Sequence, residues 1–579
     1  MSATLNAGGI NLEVEAYGPD EAEQRRLLDR LASDGPLHDL LGRAHFRWLG
    51  LKFDDDRLGP QPSVPDEPNL FTAHGYDYTN ERAFHVAGAL DDLGAVQVRA
   101  SAQQPLPSRE EWLAAVDHLR NDATYGPLLR SGAVKPYRPM PPYVAVPLPD
   151  GRTRRALTVG LSAGHDDPVE LPLQGGGTPE EFTHRVVAMT MATGELYRDY
   201  LARYPEDTNC GGPLGEDECA PGGYSGAARV TLRDEAGDEL WKFLVVRPAA
   251  SSGTQGSGVE LRHVTYRGEP VLRRAHVPLV NVLYLLATSN CGPSYRDWVN
   301  QETCIRAVGT DVGAGFRVCS EPPTTIFDTG EDGGNFRGVA LWLDEDRNLR
   351  LVSEVAAGWY RYASEWTFEP DGTIRPRFGF DAVDNPCTCQ THVHHCYWRL
   401  DFGHANGSVV QEFNDPPLDD HDDNVHTIAY EVARLRERSR DRHWRITDAG
   451  TGRGHRLIPG ASDGEADLYG AGDAWLLRYH EDEIDDGQGF TNDVASSRVY
   501  LDTWADGESI DGQDVVAWYG GHFLHDPGTP GSYVGPVLRP LAGEAQPGSR
   551  EAAAASAEGW SARREAQRTA RLHRQIPRV

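Results

Sequence analysis

The period of the apolar positions changes several times along the chain, and each change marks an element. Residues 20 to 33 (DEAEQRRLLDRLAS) place Leu27, Leu28 and Leu31 on one side of a helix. Residues 81 to 103 alternate apolar and polar positions around a DDLG turn and predict a β-hairpin. Ser108, with Glu111 three residues on, makes a capping box for the helix EEWLAAVDHLRND. Alternation resumes in YVAVPLP and RRALTVGLSA, after which Thr178, Pro179 and Glu181 predict a second long helix over 180 to 204, with Met189 and Met191 packed in it.

From about Ala227 to Pro540 the texture becomes short strand-like runs separated by Gly, Asp-Gly and Pro turns, the pattern of a large antiparallel sandwich. The predicted class is mainly β: a large antiparallel β-sandwich catalytic domain preceded by two small α/β domains. The boundaries fall at 1–130 and 131–205 for the small domains, 206–226 for a glycine- and acid-rich linker, 227–545 for the sandwich and 546–579 for an alanine- and arginine-rich tail.

Composition narrows the function classes. A formal charge of −31 repels phosphate backbones and argues against nucleic-acid binding. No apolar run approaches the roughly 20 residues that span a bilayer, so no membrane partner is expected. The N-terminus lacks a basic start and apolar core, which predicts a cytoplasmic protein. Eight cysteines in so long a chain do not suggest a disulfide framework, and they are expected to be mostly thiols.

The candidate chemistry lies between Trp359 and Asp415. In the run CTCQTHVHHC, strand alternation puts His392, His394 and Cys396 on one face and Cys389, His395 and Tyr397 on the other. Two imidazoles at i and i+2 lie about 6.5 Å apart along a strand and can converge on one metal. Either His392 and His394 join a third, distant ligand in an open site, or Cys387 and Cys389 form a closed structural zinc site. The bland alternative is a set of ordinary buried side chains.

Several ordered segments carry a family resemblance. WKFLVVRPAASSGTQGSGVELRHVTYRGEPVLRRAHV, YRYASEW with TFEPDGTI, HVHHCYWRLDF, and ESIDGQDVVAWYGGHFLHDPGTPGSYVGPVLRP together resemble the catalytic domain of copper amine oxidases over roughly 225–540. The resemblance implies copper held by His392, His394 and His525, with Pro527 two positions after the last. It implies that Tyr360 is the precursor of the cofactor topaquinone. The implied activity is oxidation of a primary amine by O2 to an aldehyde, peroxide and ammonia, in a homodimer.

Some positions depart from that family. Trp359 and Arg361 flank Tyr360 where the family usually has Asn and an acid. The general base has three candidate positions: Glu302, Asp297 and, by another alignment, Thr303. The family's peripheral calcium-type site retains Asp401 and Asp514 but has Gly403 for its second acid. Two other functions stay open: a copper oxidase or oxygenase without topaquinone, and a non-catalytic metal-binding protein on the same fold.

Overall fold

The computed structural model describes residues 2–55, 64–101, 104–149, 153–163, 168–171, 180–197, 210–215, 219, 226–284, 291, 294–419, 422–466, 472–485, 501–527, 531 and 533–541. Two eleven-stranded sheets dominate it. The first runs in the order Ser2–Ala7, Ile10–Tyr17, Ala227–Arg233, Glu239–Val246, Glu260–Tyr266, Glu269–Leu283, His392–Asp401, Val515–His525, Ala474–Arg478 and Val432–Arg434, with Ser294–Asp297 paired to Glu269–Leu283. The second carries Leu349–Ala357, Tyr360–Phe368 and Ile374–Ala382 at its centre. One continuous apolar core draws on both sheets, as an aligned sandwich requires.

Alternation along the strands decides what enters that core. In His392–Asp401 the residues Cys396, Trp398 and Leu400 point into it, whereas Tyr397 joins a separate cluster on the outer face with Trp475 and Trp518. Tyr360–Phe368 is buried at every position and sends Tyr360, Tyr362, Trp366 and Phe368 inward. A two-residue turn, Gly358 and Trp359, delivers Tyr360 to its strand, since Ala357 pairs directly with Tyr360. Gly358 has φ +61, and a Cβ there would meet Met140 Cγ at 2.6 Å, so glycine is the residue this hairpin tolerates.

Two smaller units lie along the chain between the sandwich strands Ile10–Tyr17 and Ala227–Arg233. Helices Glu21–Ser33 and Pro36–Leu41 cover a four-stranded sheet formed by Phe46–Asp54, Leu70–Asp77, Arg82–Ala89 and Gln97–Ser101. Helices Arg109–Arg120 and Gly126–Ser131 pack on a five-stranded sheet that includes Thr153–Ser162 and His184–Met189. The mainly β sandwich with small α/β units is therefore the observed class.

Several expectations need correction. Strands Ser2–Ala7 and Ile10–Tyr17 belong to the first large sheet, where Ile10–Tyr17 pairs with Ala227–Arg233. Helix Arg109–Arg120 packs with the second unit, so the break between the small units falls before it and not at 130. The long helix expected over 180 to 204 is replaced by strands Glu180–Phe182, His184–Met189 and Leu196–Tyr197. Pairing with Thr153–Ser162 buries Val186, Val187 and Met189, and this sheet context overrides the helical pattern. The expected start of that helix at Thr178 and Pro179 and the tail 546–579 lie outside the described residues, as does most of the linker.

The cysteines also depart from expectation. Three disulfides join Cys210 to Cys389, Cys219 to Cys304 and Cys291 to Cys387. Cys319 and Cys396 are free and buried. Each bridge spans at least 85 residues of sequence, so spacing gave no sign of the pairing. The zinc alternative through Cys387 and Cys389 fails, because both sulfurs are consumed in disulfides.

Candidate metal centre

The antiparallel register of His392–Asp401 with Val515–His525 sets His392 directly opposite His525. His394, two residues along, shares the inner face. The ring centroids of His392 and His394 are 4.8 Å apart, those of His392 and His525 5.0 Å, and those of His394 and His525 6.1 Å. Tyr360 faces all three from the opposing sheet: its hydroxyl is 2.9 Å from His392 Nε2, and its ring centroid is 4.6 Å from that of His394. The structure thus brings together His392, His394, His525 and Tyr360, drawn from three strands.

The electrostatics favour neutral imidazoles. Burial, reinforced by His525, pushes His392 down to about 3. Burial likewise holds His394 well below the usual histidine range and lowers His525. Neutral imidazoles keep a lone pair for a metal. Tyr362 donates its hydroxyl proton to Asp297 Oδ2 at 2.5 Å and lies 2.8 Å from His394 Nδ1. The phenol oxygen therefore accepts from Nδ1–H, and the His394 lone pair falls on Nε2. That nitrogen is buried and has no hydrogen-bond partner. An orphaned buried ring nitrogen among three imidazoles fits a copper-type donor set. Among the described residues a tighter group of donors lies elsewhere, at Glu431, Asp506 and Glu508. Backbone N–H groups of Arg478, Asp506 and Gly507 already occupy the Glu431 carboxylate there.

The two candidate carboxylates have different fates. Asp297, on the short strand Ser294–Asp297, enters the cluster through Tyr362 and is wholly buried. Burial pushes it up to about 7, with the Tyr362 hydrogen bond partly opposing, and its Oδ1 has no partner. Glu302 is tied to Arg247, with Arg247 Nε 2.8 Å from Oε1, and accepts from the backbone of Ala249 at 3.1 Å. It is not joined to the tyrosines or histidines. Thr303 sits beside it and offers no carboxylate.

Other side chains complete the surroundings. Trp359 Nε1 donates to Tyr284 at 3.2 Å, and the Tyr284 ring lies 4.4 Å from that of His392. Tyr284 had no motif to announce it; only the pairing of its neighbouring strand with His392–Asp401 brings it in. Arg361 turns away and pairs with Asp332 at 2.8 Å. At the calcium-type position, the guanidinium of Arg273 lies 2.8 Å from Asp401 and 3.6 Å from Asp514, in the place a cation would take. A cavity of about 960 Å³, lined by Lys52, Arg274, Arg399 and Tyr479 among others, lies between the first small unit and the outer face of the large sheet. None of the three histidines nor Tyr360 lines it, so the chemistry is better located by the convergent side chains than by this open space.

The architecture is similar to that of solved copper amine oxidases. A copper-containing benzylamine oxidase from Hansenula polymorpha aligns with a TM-score of 0.55 over 90% of this chain and 97% of its own, at 12% identity. A lysyl oxidase from Pichia pastoris (TM-score 0.48, 12% identity, 91% and 89% covered) and an amine oxidase from Aspergillus nidulans (0.47, 13%, 91% and 88%) align more loosely. No family model matches the sequence, and no curated protein matches it. At this identity the likeness establishes the fold.

Proposed function

We propose that the chain is a copper-dependent oxidase of the amine-oxidase kind, acting on a primary amine and O2, with His392, His394 and His525 as the copper ligands. The observation that carries it is the Tyr360 hydroxyl 2.9 Å from His392 Nε2 within a set of three neutral imidazoles, of which His392 and His394 are buried and His525 is half-buried. Bound copper and a topaquinone derived from Tyr360 would supply the two-electron oxidation of the amine, with water taken up to release an aldehyde and ammonia, and the reduction of O2 to peroxide.

The chain's own residues bury His392, His394 and Tyr360 and move protons. Asp297 is the general base of this proposal: with burial setting it near 7, its unpartnered Oδ1 is able to accept a proton close to neutral pH. Tyr362 orients Asp297 and His394 at once. Glu302, spent on Arg247, holds structure. The disulfides favour folding in an oxidising compartment over the cytoplasm expected from the N-terminus.

One observation favours a second function. Phe380 and Trp359 pack edge-on against Tyr360 at 5.4 and 6.3 Å, and the Tyr360 ring is 0% exposed. In that case Tyr360 would stay a phenol, and bound copper would mediate oxidation of the substrate with O2 as the oxidant. Aerobic copper loading followed by mass measurement of the peptide carrying Tyr360 separates the two. A quinone mass gain is expected; bound copper with an unmodified Tyr360 sinks the quinone and leaves the second function.

A further inference from the structure

Two of the three disulfides end in one short buried segment. Cys387 is bonded to Cys291 and Cys389 to Cys210, so both cysteines of the CxC pair anchor the 3₁₀ turn Pro386–Cys389 to distant parts of the chain. Local bonds tighten it further. Asn385 forms an antiparallel bridge with Cys210, its Oδ1 accepts from Cys387 N at 2.9 Å, and Thr388 Oγ1 donates to Asn385 O at 2.7 Å and to Cys210 O.

The carbonyls of this segment meet two of the three imidazoles. Gln390 O accepts from His392 Nδ1 at 2.6 Å, and Thr388 O accepts from His525 Nε2 at 2.7 Å. A carbonyl can only accept, so each facing ring nitrogen carries the proton. The lone pairs are left on His392 Nε2, which faces Tyr360, and on His525 Nδ1. A free loop would let these carbonyls drift and the rings turn over; crosslinks remove those conformations in advance.

We propose that the segment Cys387–Gln390, held by the two disulfides, is the positioning device of the metal centre: it sets the tautomers and ring orientations of His392 and His525 and thereby raises copper affinity. This rests on the three-imidazole centre proposed above. Hydrogen-bond partners of metal-ligating histidines commonly contribute about 10- to 100-fold in metal affinity. Here the partners are main-chain oxygens, so the side chains that matter are the cysteines fixing that main chain.

The test compares three paired variants: Cys291→Ala with Cys387→Ala, Cys210→Ala with Cys389→Ala, and, as a control, Cys219→Ala with Cys304→Ala. The control bridge joins Cys219 to the strand Cys304–Ile305 and has no described bond to the histidines. Cu(II) is titrated against a competing chelator, the electron paramagnetic resonance spectrum of the complex is recorded, and imidazole ¹⁵N shifts are measured on the metal-free protein. Loss of either clamping bridge is expected to weaken Cu(II) binding by about 10- to 100-fold, alter the resonance parameters and mix the tautomers of His392 and His525. The control is expected to lower the melting temperature and leave all three readouts in place.

Thr388→Val keeps both bridges and removes only the hydroxyl's bonds; it shifts the same readouts less, and it decides the matter if the paired variants fail to fold. Folded clamp variants with wild-type affinity, spectrum and tautomers overturn the proposal, as does a control that shifts them equally. Wild-type protein that binds no nitrogen-coordinated Cu(II) overturns the metal centre instead, and the metal-free tautomers then judge the clamp alone.

Discussion

The strand His392–Asp401 carries buried histidines on both faces, and the two faces use them differently. On the outer face His395 stands opposite His522, with their Nδ1 atoms 2.8 Å apart. His522 Nε2 lies 3.0 Å from Asp473, which is paired at 3.1 Å with Arg436. On the inner face His392 stands opposite His525, yet no carboxylate touches either ring among the described bonds; main-chain carbonyls accept from their N–H groups, and His394 Nε2 is left without a partner. The residue types and the two strands are shared. What separates the two faces is where the hydrogen-bond chains end: on a carboxylate–guanidinium pair outside, and on main-chain carbonyls beside a tyrosine inside.

That contrast breaks most visibly under removal of one imidazole from each face. His394→Ala is expected to weaken Cu(II) binding by more than about 100-fold, beyond what outer partners of a ligand contribute, and to abolish turnover. His522→Ala is expected to keep the copper content of the wild type while costing about 1–3 kcal/mol of stability, because Asp473 loses a buried partner. Metal analysis after dialysis and urea unfolding read the two effects apart. Copper lost equally from both variants would show that the faces are not distinct.

The same contrast explains what the chain discloses in one dimension. Alternation alone places His392 and His394 on one face and His395 on the other, because a strand's period is fixed at two. The helix Glu21–Ser33 was equally plain, being set by local chemistry. The partners of these elements were not. Asp297 and Glu302 are five residues apart and chemically alike, but pairing of Ser294–Asp297 with Val280–Leu283 sends one to Tyr362, while the other meets Arg247. The first two strands find their sheet through Ala227–Arg233, more than two hundred residues on. The disulfides belong to the same class, since cysteine spacing carries no information on which distant thiol will be adjacent in space.

A smaller effect separates the inner-face carboxylate Asp297 from the outer one. Asp297 acts as a base only when ionised, and burial sets it at about 7, so amine oxidation is expected to rise with pH through about 7 and level off above. Asp297→Asn is expected to lower kcat by about 10²- to 10⁴-fold, to remove that rising limb and to leave Cu(II) affinity near wild type. Glu302→Gln serves as the comparison: it disturbs the Arg247 pair and stability, and the rising limb persists. A limb near pH 7 that survives in Asp297→Asn would remove Asp297 from the chemistry.

The smallest effect sits at the outer carboxylate and concerns stability alone. Burial by itself would raise Asp473, but the His522 hydrogen bond and the Arg436 guanidinium outweigh it and hold the carboxyl below its ordinary range. A carboxyl depressed in the folded state contributes stability that is fully present above its unfolded value of about 3.9 and is lost as pH falls through the folded value. Asp473→Asn removes the charge and one of two acceptor oxygens, since Oδ1 meets His522 and Oδ2 accepts from Arg436 N at 2.6 Å, so a cost of about 1–3 kcal/mol is expected at pH 7. Urea unfolding of wild type and variant at pH 7 and again near pH 3 should show that gap narrowing as the wild-type carboxyl gains its proton. Copper content should match throughout, since nothing on the inner face has changed. A gap that stays constant with pH would mean that Asp473 contributes shape rather than charge.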